Sequence, residues 1–160
     1  LFKDVIENSL RMPYVTIFTL IGVSILMLVS ERIHVEDREL SYPIALLIGI
    51  AQAIALVPGT SRSGITIVAG ILLGLRRNAA IDFSFLLAIP IILGTSFYEG
   101  RHIQFQGDGI DLYLVGVISA FIFGTLSLKF LITYLKKHSF DVFAYYRFCL
   151  AALLLLSAYY

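Results

Sequence analysis

Residues 43–75 read PIALLIGIAQAIALVPGTSRSGITIVAGILLGL, two apolar runs parted by a proline, glycines, hydroxyls and one arginine. Pro43 suits the first turn of a helix, which would run to about Leu56 before Pro58-Gly59 stops it. A second helix would start near Ser63, its N-cap, and end near Gly74, ahead of the cationic pair Arg76-Arg77. At about 1.5 Å per residue the two pieces are roughly 21 Å and 17 Å long. Each falls short of the ~30 Å of a bilayer's hydrocarbon core. Residues 43–74 are therefore either a re-entrant hairpin or one crossing with a broken middle, and irregular backbone at such depth must be buried in protein or line a wet cavity.

The rest of the chain sets the solvent. Of 160 residues 59% are hydrophobic and 14% charged, and the mean hydropathy is +0.90, whereas soluble domains carry about 25% charged residues. Charge-free runs at 12–30, 40–61, 83–98 and 112–128 compare with the ~20 apolar residues of a spanning helix. A soluble domain of this size has too much surface to fill for nearly every segment to be apolar all round. The chain reads as all-α, a polytopic membrane helical bundle forming a single integral membrane domain over 1–160. A net charge of +1 and the lack of a basic stripe with interleaved aromatics set nucleic acid aside as a partner. The single cysteine, Cys149, reads as a small packing residue. The opening LFKDVIENSL has no basic region leading to a cleavage site, so no signal peptide is expected.

Around the central stretch, residues 1–10 suit a short interfacial helix and Pro13 opens a first crossing to about Ile33. ERIHVEDREL (31–40) mixes both signs of charge and reads as a solvated loop, with metal binding by His34, Glu36, Asp37 and Glu39 the weaker alternative. Asn78 can cap a helix running to about residue 97, with Pro90 as a kink. EGRHIQFQGDG is a polar loop, a further span runs from about Asp111 to Leu135, and the last from about Val142 to Tyr160. Arg147, among the aromatics of FAYYRF, is expected to snorkel to the interface rather than act in catalysis. Gly70 and Gly74 form a GxxxG pair that lets a helix approach closely, within the chain or across a homodimer.

Charge bias does not separate the two forms of 43–74. A hairpin puts Arg32, Arg38, Arg76, Arg77, Lys136 and Lys137 on one side against Lys3, Arg11 and Arg101. A broken crossing exchanges Lys3 and Arg11 with Arg32 and Arg38, leaving the split the same. Both forms place Arg76, Arg77, Lys136 and Lys137 on the cytoplasmic side.

A guanidinium near mid-membrane costs several kcal/mol or more unless paired or hydrated, so Arg62 marks a site. Its neighbours suit an anion. Pro58 and Gly59 shape the turn, and Gly59 and Gly64 let the backbone expose N–H groups. Thr60, Ser61, Ser63 and Thr66 carry hydroxyls, and a helix N-terminus adds its free donors and positive dipole end. Arg62 itself grips two oxygens through its planar fork. The plainer reading is a turn with a capped helix and an arginine paired to a carboxylate elsewhere. Two phosphate motifs fail nearby. GTSRSGIT has P-loop spacing, but Ile65 stands where the lysine belongs and no strand precedes it. A cysteine-based phosphatase loop needs a thiolate just before the arginine, and Cys149 is far away.

The stretch AQAIALVPGTSRSGITI, followed by AAIDFSFLLAIPIILGT and FAYYRF, resembles the undecaprenyl-diphosphate phosphatase family, the bacitracin-resistance membrane phosphatases. The resemblance covers nearly the whole chain, and PGTSRSG is a specific signature. It implies an inverted-repeat bundle with two re-entrant hairpins, 43–74 being the second, in a multi-pass protein of the bacterial inner membrane. It also implies hydrolysis of undecaprenyl diphosphate, an isoprenyl diphosphate lipid, to the monophosphate carrier of cell-wall precursors, and with it peptidoglycan synthesis, cell shape and bacitracin resistance.

The family's earlier motif, a glutamate-rich helix followed by a serine-rich turn and a histidine, is not found here. The resemblance is thus to the C-terminal part of a family member, and the ligands of the divalent cation, Mg2+, are expected in the missing N-terminal half, with none in this chain. Carried over residue by residue, Arg62 would hold and neutralise the diphosphate, with Gln52, Pro58, Gly59, Thr60, Ser61, Ser63, Gly64 and Thr66 forming the rest of the binding site. Ser61 is the candidate nucleophile beside Arg62, but neither it nor Ser63 has a base nearby in sequence, and both read better as binders. Asp82, the one carboxylate close after the motif, reads as a helix-start residue before a metal ligand. The runner-up function is binding or translocation of an isoprenyl phosphate without hydrolysis, since broken helices also bind anionic substrates in carriers. An inactive remnant is the third.

Overall fold

The computed structural model describes residues 12–33, 37–101 and 110–159. The expected interfacial helix over 1–10, and His34 and Glu36 of the candidate metal cluster, lie outside them. Among the described residues six α-helices follow in order: α1 (Pro13–Ser30), α2 (Tyr42–Ala53), α3 (Arg62–Leu72), α4 (Arg77–Gly100), α5 (Ile110–Lys137) and α6 (Asp141–Tyr159), with a 3₁₀ turn at Ile54–Leu56 between α2 and α3. Among the described residues α1, α4 and α5 are long and apolar enough to cross a membrane. α6, expected as the last crossing, is 19 residues long and is not in that set. The large apolar side chains left exposed, Phe18, Phe97, Leu112, Phe121 and Phe130 among them, would be an aggregation surface in water. The chain is a multi-pass membrane protein.

Prolines open α1 and α2, where a missing N–H costs nothing. Two expected caps fall elsewhere. Ser61, not Ser63, caps α3, its Oγ accepting the Gly64 N–H at 3.1 Å, because the helix starts at Arg62, two residues before the first position a Ser63 cap would give. α4 starts at Arg77 with Arg76 as its cap residue, so Asn78 lies inside the first turn. Pro90 sits within a continuous α4.

α3 is the centre of the bundle, packed on α1, α2 and α4. Residues Gly64–Val68, Gly70 and Ile71 are all buried. Lipid is as apolar as leucine, so close fit rather than expulsion from water favours this packing. Gly70 supplies the fit, since a Cβ there would lie 2.9 Å from the Cβ of Ala80 on α4. The close approach is made within the chain, and Gly74, beyond the end of α3, belongs to a turn with φ +96° rather than to a helical pair. On α2 the buried stripe is Ile44, Ile48, Gln52, one residue per turn, so Gln52 faces inward because the two isoleucines do. α6 lies along α1 and adds a second apolar cluster of Ile17, Leu20 and Ala151. Cys149 is exposed on α6 and not a packing residue, since the buried side of that helix is taken by Ala144, Arg147 and Ala151.

The charged residues gather at one end. The Arg38 N–H donates to the Gly74 carbonyl at 2.8 Å, and Asp37 pairs with Arg76, so the chain enters α2 and leaves α3 at the same place. The Asp37 carboxylate, as hydrogen-bond partner and charge, raises the pKa of the Arg76 guanidinium. Arg77 pairs with Glu31 at the end of α1 and donates to the carbonyls of Leu135 in the last turn of α5 and of His138 just beyond it. Glu31 also accepts the Phe140 N–H at 2.8 Å. Asp82, near the start of α4, pairs with Lys136 of α5.

Candidate functional site

The residues between α2 and α3 form the candidate site. α2 rises about 18 Å over its 12 residues, so the turn lies deep in the bundle, away from the charged end. There it meets α1. Thr19 Oγ1 donates to the Pro58 carbonyl at 2.6 Å. Gly59 has φ +85°, and a Cβ there would run into Thr19 Oγ1 and stand 2.7 Å from the Thr16 carbonyl. Glycine is thus required twice at this position, for backbone sign and for room.

At the far side of the turn the chain enters α3, whose first N–H groups, at Arg62 and Ser63, are unpaired as in the first turn of any helix. Arg62 is exposed and no described residue pairs with it. It lines one cavity of about 480 Å³ with Thr60, Ser63 and Ser84 and a second with Gln52. Among the described residues two buried polar atoms have no hydrogen-bond partner, Gln52 Oε1 and Thr60 Oγ1, and both residues belong to these cavities. A buried polar atom without a partner costs about 1–3 kcal/mol, so the arrangement is built to receive water or a polar ligand.

On the other flank of α3, a cavity of about 270 Å³ is lined by Ser61, Ser63, Gly64 and Arg147, with Met27, Ile67 and Phe143 among its apolar wall. Ser63 lines cavities on both flanks.

Of the residues expected at the site, Gln52, Thr60, Ser61, Arg62, Ser63 and Gly64 line these cavities, and Pro58 and Gly59 form the turn. Thr66 is turned away. Its hydroxyl is buried against α4, donating to the Arg62 and Ser63 carbonyls at 2.9 and 3.2 Å and meeting Ser84 Oγ. Arg147 departs from expectation most. It does not snorkel but is 9% exposed, with Nη2 donating to the Gly59 carbonyl at 2.8 Å and Nε to Ser24 Oγ at 3.2 Å. The close packing of α6 on α1 turns it inward, and no described carboxylate pairs with it. The sequence signal that could have found it is the one that found Arg62, a lone arginine inside an apolar run.

The described residues around the turn do not form a divalent-cation site. Among the described residues no three His, Cys, Asp or Glu converge, and no carboxylate or imidazole lines the three cavities around the turn.

Fold and site together define a multi-pass helical membrane protein with an arginine-bearing helix start bordered by cavities. Residues 1–153 match the family model described as bacitracin resistance protein BacA, and the chain belongs to that family. It is 45% identical to an undecaprenyl-diphosphatase of Thermodesulfovibrio yellowstonii over 97% of this chain and 62% of that relative. It is 41% identical to an undecaprenyl-diphosphatase of Rubrobacter xylanophilus, over 96% and 58%. A third of the same name, from Chlorobium chlorochromatii, is 42% identical over 97% and 60%. The chain spans about three fifths of the length of these relatives.

Proposed function

We propose that this chain grips the diphosphate of an isoprenoid lipid and serves the hydrolysis of undecaprenyl diphosphate to undecaprenyl phosphate at the inner membrane of a bacterium. The observation that carries the reading is the unpaired Arg62 in the first turn of α3, sharing its cavities with the partnerless Gln52 Oε1 and Thr60 Oγ1. The name carried by its relatives is the second support.

In the reaction, water adds to the terminal phosphorus as the bridging P–O bond breaks, leaving inorganic phosphate and the lipid monophosphate. Charge builds on the bridging and equatorial oxygens. Arg62, the Ser63 hydroxyl and the free N–H groups of α3 are donors fixed in advance for that charge. Ser61 binds rather than attacks in this reading, because its Oγ already accepts the Gly64 N–H and no described base lines its cavity. A divalent cation, Mg2+, enters only with ligands from outside the described residues. The hairpin of α2 and α3 is re-entrant here, holding its donors at the depth a lipid headgroup reaches while the tail stays in the bilayer. A homodimer belongs to the same reading and is tested by the mass of the detergent-solubilised particle.

The missing base favours a second reading, in which the chain binds or moves an isoprenyl phosphate without cleaving it. One experiment separates the two: Mg2+-dependent phosphate release from an isoprenyl diphosphate, for this chain, for this chain supplied with the remaining length of a relative, and for that pair with Arg62→Ala. Release only in the pair, lost with Arg62→Ala, supports hydrolysis. Lipid binding with no release from a folded pair overturns it in favour of the second reading.

A further inference from the structure

We infer that Arg147 and Thr19 form a two-point latch on the consecutive carbonyls of Pro58 and Gly59, and that Arg147 is a positioning residue for the anion-binding turn. The latch stands on geometry alone, while its effect on ligand rests on the function proposed above. Thr19 Oγ1 reaches the Pro58 carbonyl from α1 at 2.6 Å and Arg147 Nη2 reaches the Gly59 carbonyl from α6 at 2.8 Å. Nη2 also lies 3.4 Å from the Thr19 carbonyl. Nε is held by Ser24 Oγ, itself bound to the Leu20 carbonyl at 2.6 Å. A planar fork fixed at Ser24 can aim only one way, and it aims at the turn.

Two carbonyls drawn toward α1 and α6 fix both peptide planes of the Pro58–Gly59 corner. The chain that leaves the corner then enters α3 with one orientation, and the N–H groups of Arg62 and Ser63 keep theirs. The positive φ of Gly59 makes this necessary, because a glycine corner is otherwise among the freest in a chain. A lysine cannot replace Arg147, since one nitrogen cannot serve Ser24 Oγ and the Gly59 carbonyl in their separate directions.

The test is amide hydrogen exchange of this chain in detergent, read over residues 57–64, α1 and α6, together with affinity for inorganic pyrophosphate. It compares Thr19→Val, Thr19→Ser, Ser24→Ala, Arg147→Lys and Arg147→Met. Exchange over 57–64 is expected to rise about tenfold in Thr19→Val, Arg147→Lys and Arg147→Met, the effect of one lost hydrogen bond. Ser24→Ala gives a smaller rise and Thr19→Ser stays as the parent, with α1 and α6 unchanged and pyrophosphate affinity falling in step. Unchanged exchange over 57–64 overturns the latch, as does equal loosening of α1 and α6, which makes Arg147 a packing strut. Affinity lost with exchange unchanged overturns the positioning role in favour of direct contact. Failure of the parent to bind pyrophosphate counts against the proposed function, and the exchange pattern still decides the latch.

Discussion

The backbone N–H of Arg38 lies 2.8 Å from the carbonyl oxygen of Gly74, joining the residue that leads into α2 to the residue that follows α3. That bond sets the outer ends of α2 and α3 side by side. Arg38 and Arg76 stand at one end of the bundle, so the segment between them goes in and comes back.

Gly59→Ala is expected to collapse the turn. The new Cβ meets a backbone carbonyl, Thr16 O at 2.7 Å, which cannot swing aside. Gly74→Ala shares the strain of positive φ, but its nearest neighbour is Cδ of Arg38, at 2.9 Å, a flexible side chain. Thermal unfolding in detergent should show both destabilised, by about 1–3 kcal/mol for strain alone, with Gly59→Ala the worse. Equal stability of the two variants would contradict the collision.

Arg62→Ala should leave the fold intact, since the side chain is exposed and has no described partner. Affinity for an isoprenyl diphosphate should fall about 10- to 100-fold, the range of one charge-assisted pair. Arg62→Lys should recover only part, because the fork is lost. Calorimetric titration with circular dichroism on the same samples separates binding from folding.

Thr66→Val tests whether this hydroxyl serves the ligand or the bundle. Its contact with Ser84 predicts a stability loss of about 1–2 kcal/mol from the orphaned Ser84 hydroxyl and ligand affinity within about twofold. The double variant with Ser84→Ala should be less destabilised than the sum of the singles. A large affinity loss without a stability change would return Thr66 to the ligand's list of donors.

Glu31→Gln should weaken the charged end. Glu31 binds both Arg77 and the Phe140 N–H, and Arg77 stacks over the Phe140 ring at 4.5 Å. With its side chain still 17% exposed, screening limits the loss to about 1–2 kcal/mol. Unfolding measured at low and high salt checks this, the difference from the parent shrinking as salt rises.

Much of this was legible in the sequence. An oily chain broken by PGTSRSG could only be a helical membrane bundle with a short-helix pair, and the helix limits follow from Pro13, Pro43 and Pro58-Gly59. Arg62 and Ser63 were legible as site residues because a polar side chain in an apolar run needs a reason, and Gln52 entered only through the family resemblance. What was hidden depends on distant partners. Arg147 finds its acceptors on residues 24 and 59, and nothing near FAYYRF says so. Cys149 and Arg147 are two residues apart on a helix apolar all round, where hydrophobicity no longer marks the inner face. The choice between Ser61 and Ser63 as cap turned on two residues of register. Hairpin and broken crossing divide the cations equally, so charge bias had nothing to choose between them, and the contact of Arg38 with Gly74 has no signal in either run.

The return of residues 38–75 to their starting point also settles a matter of parity. α1 runs toward the charged end, α4 away from it, α5 back, and α6 away again along α1, while the hairpin adds no net passage. Among the described residues Pro13 and Tyr159 therefore lie at the same end of the bundle. Reporters attached before the one and after the other should answer to the same compartment.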